Sequence, residues 1–205
     1  MKTHDLPDLF RRIAAAGLGL PGAGSLADVT SCPGAEACRL AVTQSRGLGR
    51  LLAEHLQARP ELVRSVPGLN VKISGCPNGC GQHHVAGLGL QGSVRQLGAR
   101  VIPQYFVMVG GGVDDERAHF GRLAAKIPVR RVPEAVDRLA ALCAVERSDD
   151  ETADAFFRRA DLSRIKAALA DLERLAPEDA LPLDFVDLGD DAEFKLETQE
   201  GECSA

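Results

Sequence analysis

The sequence of 205 residues contains no apolar run as long as the roughly 18 residues that a membrane-spanning helix needs. Its N-terminus also lacks the positively charged and then apolar pattern of a secretory signal. We therefore expect a cytoplasmic protein that does not associate with membranes. Because disulfides are disfavoured in the cytoplasm, closely spaced cysteines in such a chain are expected to bind metal or to carry redox chemistry.

The sequence also lacks a basic stripe. The net charge is −5, and the segment 184–205 alone holds eight acidic residues and one lysine, so little positive excess is left for the rest of the chain. This distribution argues against nucleic-acid binding. Residues 177–205 show no periodicity and predict an extended or disordered acidic tail, in which Cys203 is a free thiol. Docking of a basic partner on this tail is the alternative.

The remaining sequence predicts a single folded domain with appendages. Apolar residues at helical spacing predict helices over 6–16, 37–57, 120–126, 133–145 and 151–175. Strands are predicted over 26–30, 69–74, 84–92 and 103–109. Strands mixed with helices, without strict alternation, predict an α+β fold with a mixed sheet flanked by helices.

Four of the six cysteines form two pairs, each of which begins with Cys-Pro. The pairs are Cys32-x5-Cys38 and Cys76-x3-Cys80, separated by 37 residues. Thiolate is the soft ligand that zinc and iron–sulfur clusters select. The five intervening residues of the first pair exceed the usual zinc spacing, so the pattern favours an iron–sulfur cluster and leaves zinc and a metal-free site as alternatives. Cys143 lies on an apolar helical face and is expected in the core.

The residues around the cysteines carry a resemblance. The stretches are Thr30-Ser-Cys-Pro-Gly, Ser45-Arg-Gly-Leu and Lys72-Ile-Ser-Gly-Cys-Pro-Asn-Gly-Cys-Gly-Gln-His-His. Together they closely resemble the sirohaem and [4Fe–4S] domain of the ferredoxin-type nitrite and sulfite reductase family, over about residues 25–145. The resemblance implies that Cys32, Cys38, Cys76 and Cys80 hold a [4Fe–4S] cluster. It also implies that the Cys80 thiolate bridges to the sirohaem iron and so has the catalytic role.

Further cofactor-binding residues are expected around this motif. Asn78 could donate a hydrogen bond to a cluster sulfur or to a sirohaem carboxylate, or it could be an ordinary turn residue. Gln82, His83 and His84 could line the macrocycle, or a histidine could supply protons at neutral pH, with a polar surface as the alternative for the His pair. Arg46 and Lys72 suit the neutralisation of sirohaem carboxylates, with a solvated surface as their alternative.

The chain departs from the family in its length, because typical members resemble a tandem duplication and only the second half is present. Three parts are expected. Residues 1–25 form a helix and Gly-rich loop left from a ferredoxin-like half, residues 26–160 form the sirohaem and [4Fe–4S] domain, and residues 161–205 form a helix and a flexible acidic tail. The implied activity is the six-electron reduction of sulfite to sulfide or nitrite to ammonia, with electrons from ferredoxin or a flavoprotein. A separate chain could supply the other half, or this chain could be a truncated product with a partial cofactor site. The alternative is a non-catalytic iron–sulfur electron carrier without sirohaem.

Overall fold

The structure is a computed structural model that describes residues 2–19, 22–114 and 117–196. Cys203 and the end of the acidic tail lie outside the described residues. The α-helices are α1 (Leu6–Ala15), α2 (Ser45–Gln57), α3 (Pro60–Ser65), α4 (Val132–Glu146), α5 (Ala153–Arg159) and α6 (Leu162–Glu173). The strands are β1 (Thr30–Ser31), β2 (Val71–Ser74), β3 (Leu88–Leu97), β4 (Arg100–Val109), β5 (Gly112–Val113), β6 (Ala118–His119) and β7 (Arg122–Pro128).

Five strands form one mixed sheet in the order β1-β2-β3-β4-β7. The pairs β1–β2 and β2–β3 are parallel, whereas β3–β4 and β4–β7 are antiparallel. Strands β5 and β6 form a separate two-stranded sheet. The expected α+β fold, with a mixed sheet flanked by helices, is confirmed.

The core lies between the sheet and the helices. In α2, Leu48, Leu52 and Leu56 recur every fourth residue and are fully buried, because this spacing places them on one face of the helix. Helix α4 contributes Leu139 and Cys143 to the same core cluster, as expected for Cys143. The core therefore fixes α2 against the parallel strands whose ends carry the cysteines.

Residues 120–126 were predicted to be helical, and this prediction is wrong. They belong largely to β7, an edge strand that pairs with β4. The register shifts between Val107 and Met108, so that Ala124 and Ala125 are both buried. A bulge of this kind interrupts the two-residue alternation of a strand and leaves an apolar run that resembles a helix.

Two elements that precede β2 in the chain are shorter than predicted. The strand expected over 26–30 is reduced to Thr30–Ser31, and the helix expected from residue 37 begins at Ser45. Residues before α2 instead use their backbone for a turn: the N–H groups of Val42 and Thr43 donate to Gly75 O at 2.8 and 3.1 Å. Tertiary pairing therefore overrides the local helical pattern in this segment.

The described part of the acidic tail also differs from the expectation of an extended segment. Residues 177–196 contain two short 3-10 helices, Pro177–Asp179 and Pro182–Phe185. Phe185, Leu188 and Phe194 are buried. These apolar side chains are widely spaced, which explains why the segment has no periodicity and nevertheless packs on the domain.

No α-helix in the described ranges is both long and apolar enough to cross a membrane.

Candidate metal centre

The two cysteine turns leave the same edge of the sheet. Strands β1 and β2 are parallel neighbours, with Ser31 opposite Ile73, and each runs directly into one of the turns. The N–H of Cys32 extends this pairing by donating to Ile73 O at 3.0 Å. Because the carboxyl ends of parallel strands meet at one edge, turns that are distant in sequence become neighbours in space.

Direct hydrogen bonds join the two turns. The N–H of Gly75 donates to Cys32 Sγ at 3.2 Å, and Gly75 O accepts the N–H groups of Val42 and Thr43. A Cβ atom on Gly75 would lie 2.7 Å from Thr43 O and 3.2 Å from Gly34 Cα. Only glycine allows the backbones to approach this closely, which explains why a glycine precedes Cys76.

The four thiols differ in exposure. Cys76 is 7% exposed, Cys32 and Cys38 are half-buried, and Cys80 is exposed. Burial raises the pKa of the Cys76 thiol, the Asn78 backbone N–H lowers it, and the charges of Cys32, Cys38 and Cys80 raise it further. The thiols of Cys32, Cys38 and Cys80 therefore each lie within electrostatic range of Cys76.

Ser45, the first residue of α2, contacts the first turn. Its Oγ lies 3.1 Å from Cys32 Sγ and donates to Cys32 O at 2.9 Å. The start of α2 therefore lies beside Cys32, and the positive end of the helix dipole favours a thiolate there.

Among residues 2–19, 22–114 and 117–196, no group of three or more His, Cys, Asp or Glu side chains is arranged around the position of a single metal ion.

The turn that carries Cys80 is held against β2. A Cβ on Gly81 would lie 1.9 Å from Ile73 O, and the Gly81 N–H donates to Ser74 Oγ at 3.0 Å. Gln82 follows with φ of 60°. Its Oε1 accepts a hydrogen bond from Lys72 Nζ at 2.8 Å. The structure thus brings together Lys72 and Gln82 near the exposed Cys80.

His83 is fully buried, which the sequence did not reveal. Its Nε2 lies 3.2 Å from Gln91 Oε1, whereas its buried Nδ1 has no hydrogen-bond partner. Burial, with a further contribution from His84, lowers the pKa of His83 to about 4. The two imidazole rings lie 3.9 Å apart, and a Cβ on Gly79 would be 3.3 Å from His84 Cδ2. The His pair therefore packs on the turn between Cys76 and Cys80.

The other predicted site residues are more dispersed. Asn78 is exposed, and it contacts Cys76 through its backbone N–H. Arg46 Nη1 lies 3.5 Å from Glu36 Oε1, and Arg50 shares the same carboxylate. Arg46 is thus paired beside the first cysteine turn and is not grouped with Lys72.

A cleft of ≈ 680 Å³ opens beside Cys38, and the sequence did not predict it. One wall comes from the first cysteine turn, including Arg39, and the other from the C-terminal segment. The charged residues in the lining are mostly acidic: Glu36, Asp187, Asp190, Asp191 and Glu193, against Arg39 and Lys195. Cys80 does not line this cleft. The only signal in the sequence was the concentration of acidic residues after 183.

An α+β domain that presents four cysteines from two adjoining turns is typical of iron–sulfur proteins. Residues 22–153 match the family described as nitrite and sulphite reductase 4Fe-4S domain, and the chain belongs to this family. The family is defined by an iron–sulfur domain, which agrees with the resemblance in the cysteine motifs.

Curated relatives include both kinds of reductase. The assimilatory ferredoxin-dependent nitrite reductase of Haloferax mediterranei is 30% identical over 122 residues, which cover 60% of this chain and 21% of the relative. Sulfite reductase [ferredoxin] 1 of Mycolicibacterium paratuberculosis is 29% identical over 156 residues, which cover 73% of this chain and 28% of the relative. The chain thus spans less than a third of the length of either relative.

Solved structures agree on the fold. The Mycobacterium tuberculosis NirA protein superposes with a TM-score of 0.70 at 26% identity, covering 80% of this chain and 31% of NirA. Dissimilatory sulfite reductase I (DsrI) gives a TM-score of 0.63 at 14% identity, covering 88% of this chain and 60% of DsrI, and supports the fold alone.

Proposed function

We propose that Cys32, Cys38, Cys76 and Cys80 hold a [4Fe–4S] cluster in a domain that takes part in the reduction of nitrite or sulfite. The observation that carries this proposal is the hydrogen bond from Gly75 N–H to Cys32 Sγ, which joins the two cysteine turns at the ends of β1 and β2. The family match and the relatives named as nitrite and sulfite reductases support the same function.

The donor set fits an iron–sulfur cluster. Four thiols provide the soft ligands, and each iron of the cluster is bound by a different cysteine, so the sulfur atoms need not surround one point. The backbone N–H groups of Gly75 and Asn78 are directed at Cys32 and Cys76. Such hydrogen bonds stabilise thiolate and tune the reduction potential. When bound, the cluster supplies one-electron transfer.

We further propose that sirohaem binds on the exposed side of Cys80. Cys80 is the most accessible of the four thiols, and the ammonium of Lys72, which contacts Gln82, is available nearby for a carboxylate of the macrocycle. The cleft beside Cys38 does not fit this cofactor, because its carboxylates would repel those of sirohaem. The cofactor role expected for Arg46 is weakened by its pairing with Glu36.

The roles of the His pair differ in this proposal. His84 is half-buried beside Gly79 and Phe120, with its ring 5.6 Å from that of Phe120, so it is the better candidate to face a cofactor. His83 is buried and its Nε2 contacts Gln91, so we assign it a structural role in packing the cysteine turn against β3. Asn78, exposed between Cys76 and Cys80, remains a proposed cofactor contact.

A second candidate is an iron–sulfur electron-transfer domain without sirohaem. This alternative needs only the four cysteines, and the acidic cleft beside Cys38 offers no site for the carboxylates of a macrocycle on that side. Anaerobically purified protein distinguishes the two by its visible spectrum. Cluster absorption with a macrocycle Soret band supports the reductase, cluster absorption alone supports the carrier, and colourless protein with stoichiometric zinc contradicts both.

We propose ferredoxin or a flavoprotein as the electron donor, a cytoplasmic location, and a separate chain that supplies the other half of the reductase. We also propose that the chain is divided into three parts, residues 1–25, 26–160 and 161–205, of which the second is the sirohaem and [4Fe–4S] domain. Viologen-driven assays with nitrite and with sulfite, each with and without the candidate partner chain, test the activity. Consumption of neither anion by the complete assembly would contradict the reductase.

A further inference from the structure

We propose that Asp187, in the C-terminal segment, is a positioning residue that holds a negative charge beside the cluster and keeps its reduction potential low. The inference rests on the proposed cluster and extends it to a residue that lies outside the family match at 22–153. Its basis is the placement of a buried carboxylate between the start of α2 and the cleft at Cys38.

The segment that carries Asp187 is anchored on both sides. Arg130 donates to Leu183 O at 3.4 Å and to Val186 O at 3.2 Å. Leu188 is buried, and a Cβ on Gly47 of α2 would lie only 2.5 Å from Leu188 O. The backbone on either side of Asp187 is therefore fixed against the domain, which fixes the position of its carboxylate.

The carboxylate of Asp187 is 1% exposed. Its Oδ2 accepts the Gln44 N–H at 2.8 Å, and its Oδ1 accepts the Leu188 N–H at 2.8 Å. Gln44 directly precedes Ser45, whose Oγ lies 3.1 Å from Cys32 Sγ. Two consecutive residues, Gln44 and Ser45, therefore link the Asp187 carboxylate to the proposed cluster ligand Cys32.

Two further features direct Asp187 toward the first cysteine turn. Asp187 and Cys38 line the same cleft. Burial raises the pKa of the Tyr105 hydroxyl most, the charge of Asp187 raises it next, a hydrogen bond with Thr43 lowers it, and Cys32 makes a smaller contribution. Together with the shared cleft and the contacts through Gln44 and Ser45, this places Asp187 beside the first cysteine turn.

The charge on Asp187 has a direct consequence for electron transfer. The pKa of Asp187 is raised on balance, chiefly by burial, although the N–H groups of Gln44 and Leu188 oppose this by stabilising the carboxylate, and Asp190 and Arg130 contribute opposite smaller effects. A buried charge is screened less by water and salt than an exposed one. Because reduction adds an electron to the cluster, a fixed negative charge nearby disfavours the reduced state and lowers the potential.

Redox titration of the cluster, followed by electron paramagnetic resonance, tests the proposal on the full chain. Asp187→Asn and Asp187→Ser both remove the charge, so either folded variant reports on it. We expect the reduction equilibrium to shift about tenfold toward the reduced cluster, which for a one-electron couple is about 59 mV more positive. Asp187→Glu, which keeps the charge, should remain close to the wild-type potential.

A matched control separates the buried charge from exposed charges nearby. Asp191→Asn removes an exposed charge from the same segment and should shift the potential much less. An unchanged potential in the neutral Asp187 variants, or an equal shift in Asp191→Asn, would overturn the inference while leaving the cluster intact. Absence of iron and labile sulfide from wild-type protein would instead overturn the proposed function, and the inference with it.

Discussion

The burial of His83 predicts an acid-sensitive stability. The pKa of His83 is about 4 in the folded protein, because burial disfavours the charged imidazolium, against an ordinary value of 6.5. The unfolded chain therefore binds a proton more readily than the folded chain between these values. Stability from the neutral, buried ring is present above pH 6.5 and is lost as the pH falls toward 4.

The size of this loss follows from the shift. Lowering the pH from 7 to 5 should cost about 2 kcal/mol of unfolding free energy through His83 alone, since one pKa unit corresponds to about 1.4 kcal/mol. Urea unfolding of metal-free protein, followed by circular dichroism, measures it without interference from metal loss at acid pH. His83→Gln removes the titrating group and should lose about 2 kcal/mol less than wild type over the same interval.

The comparison needs a control, because carboxylates also titrate in this range. His4 is exposed, and His4→Gln should lose as much stability as wild type between pH 7 and pH 5. An identical pH dependence in His83→Gln and in wild type would refute the assignment of the effect to the buried ring.

Three further predictions concern the turns and the core. Gly81→Ala should destabilise the protein by about 1–3 kcal/mol and reduce cluster retention, because the new Cβ would lie 1.9 Å from Ile73 O. Gly98→Ala adds the strain of a positive φ, which Gly81 does not have, but its Cβ would meet no atom within 4 Å, so this variant should retain the cluster. Equal retention in both variants would contradict the steric argument. Phe157→Ala should cost about 3–5 kcal/mol in urea unfolding because Phe157 is fully buried, whereas Phe10→Ala, at a side chain that is 58% exposed, should change stability by less than about 0.5 kcal/mol. Because Cys80→Ser is also expected to lose cluster iron and sulfide, the loaded variant should show weaker cluster absorption and a changed Soret band relative to wild type, and an unchanged spectrum would count against the role proposed for Cys80.

The cysteine motifs could be recognised in the sequence because their residue types and spacing are local. Their approach to one another required the parallel pairing of β1 and β2, which joins segments about 40 residues apart. The sequence also predicted α1, α4 and the strand around 103–109, where apolar periodicity agrees with the final fold. In these elements no bulge or tertiary hydrogen bond interrupts the local pattern of apolar residues.

The sequence was less informative where distant contacts decide the structure. The bulge opposite Val107 and Met108 obscured β7, and the hydrogen bonds to Gly75 O replaced the first part of a predicted helix with a turn. Asp187 belongs to a segment without periodicity, and its burial depends on single contacts with Gln44 and Leu188. Such contacts leave no repeating signal in the sequence.

The most direct measurement of the central claim is the iron and labile sulfide content of anaerobically purified protein, in wild type and in Cys32→Ser, Cys38→Ser, Cys76→Ser and Cys80→Ser, with Cys143→Ser as the control. Cys143 is buried in α4 and apart from the two turns, so its replacement should leave the cluster in place. We expect about four irons and four sulfides per wild-type chain and a clear loss in each of the four site variants. Wild-type protein that contains neither iron nor sulfide after anaerobic reconstitution, or site variants that retain the full content, would contradict the assignment of the two turns to one cluster.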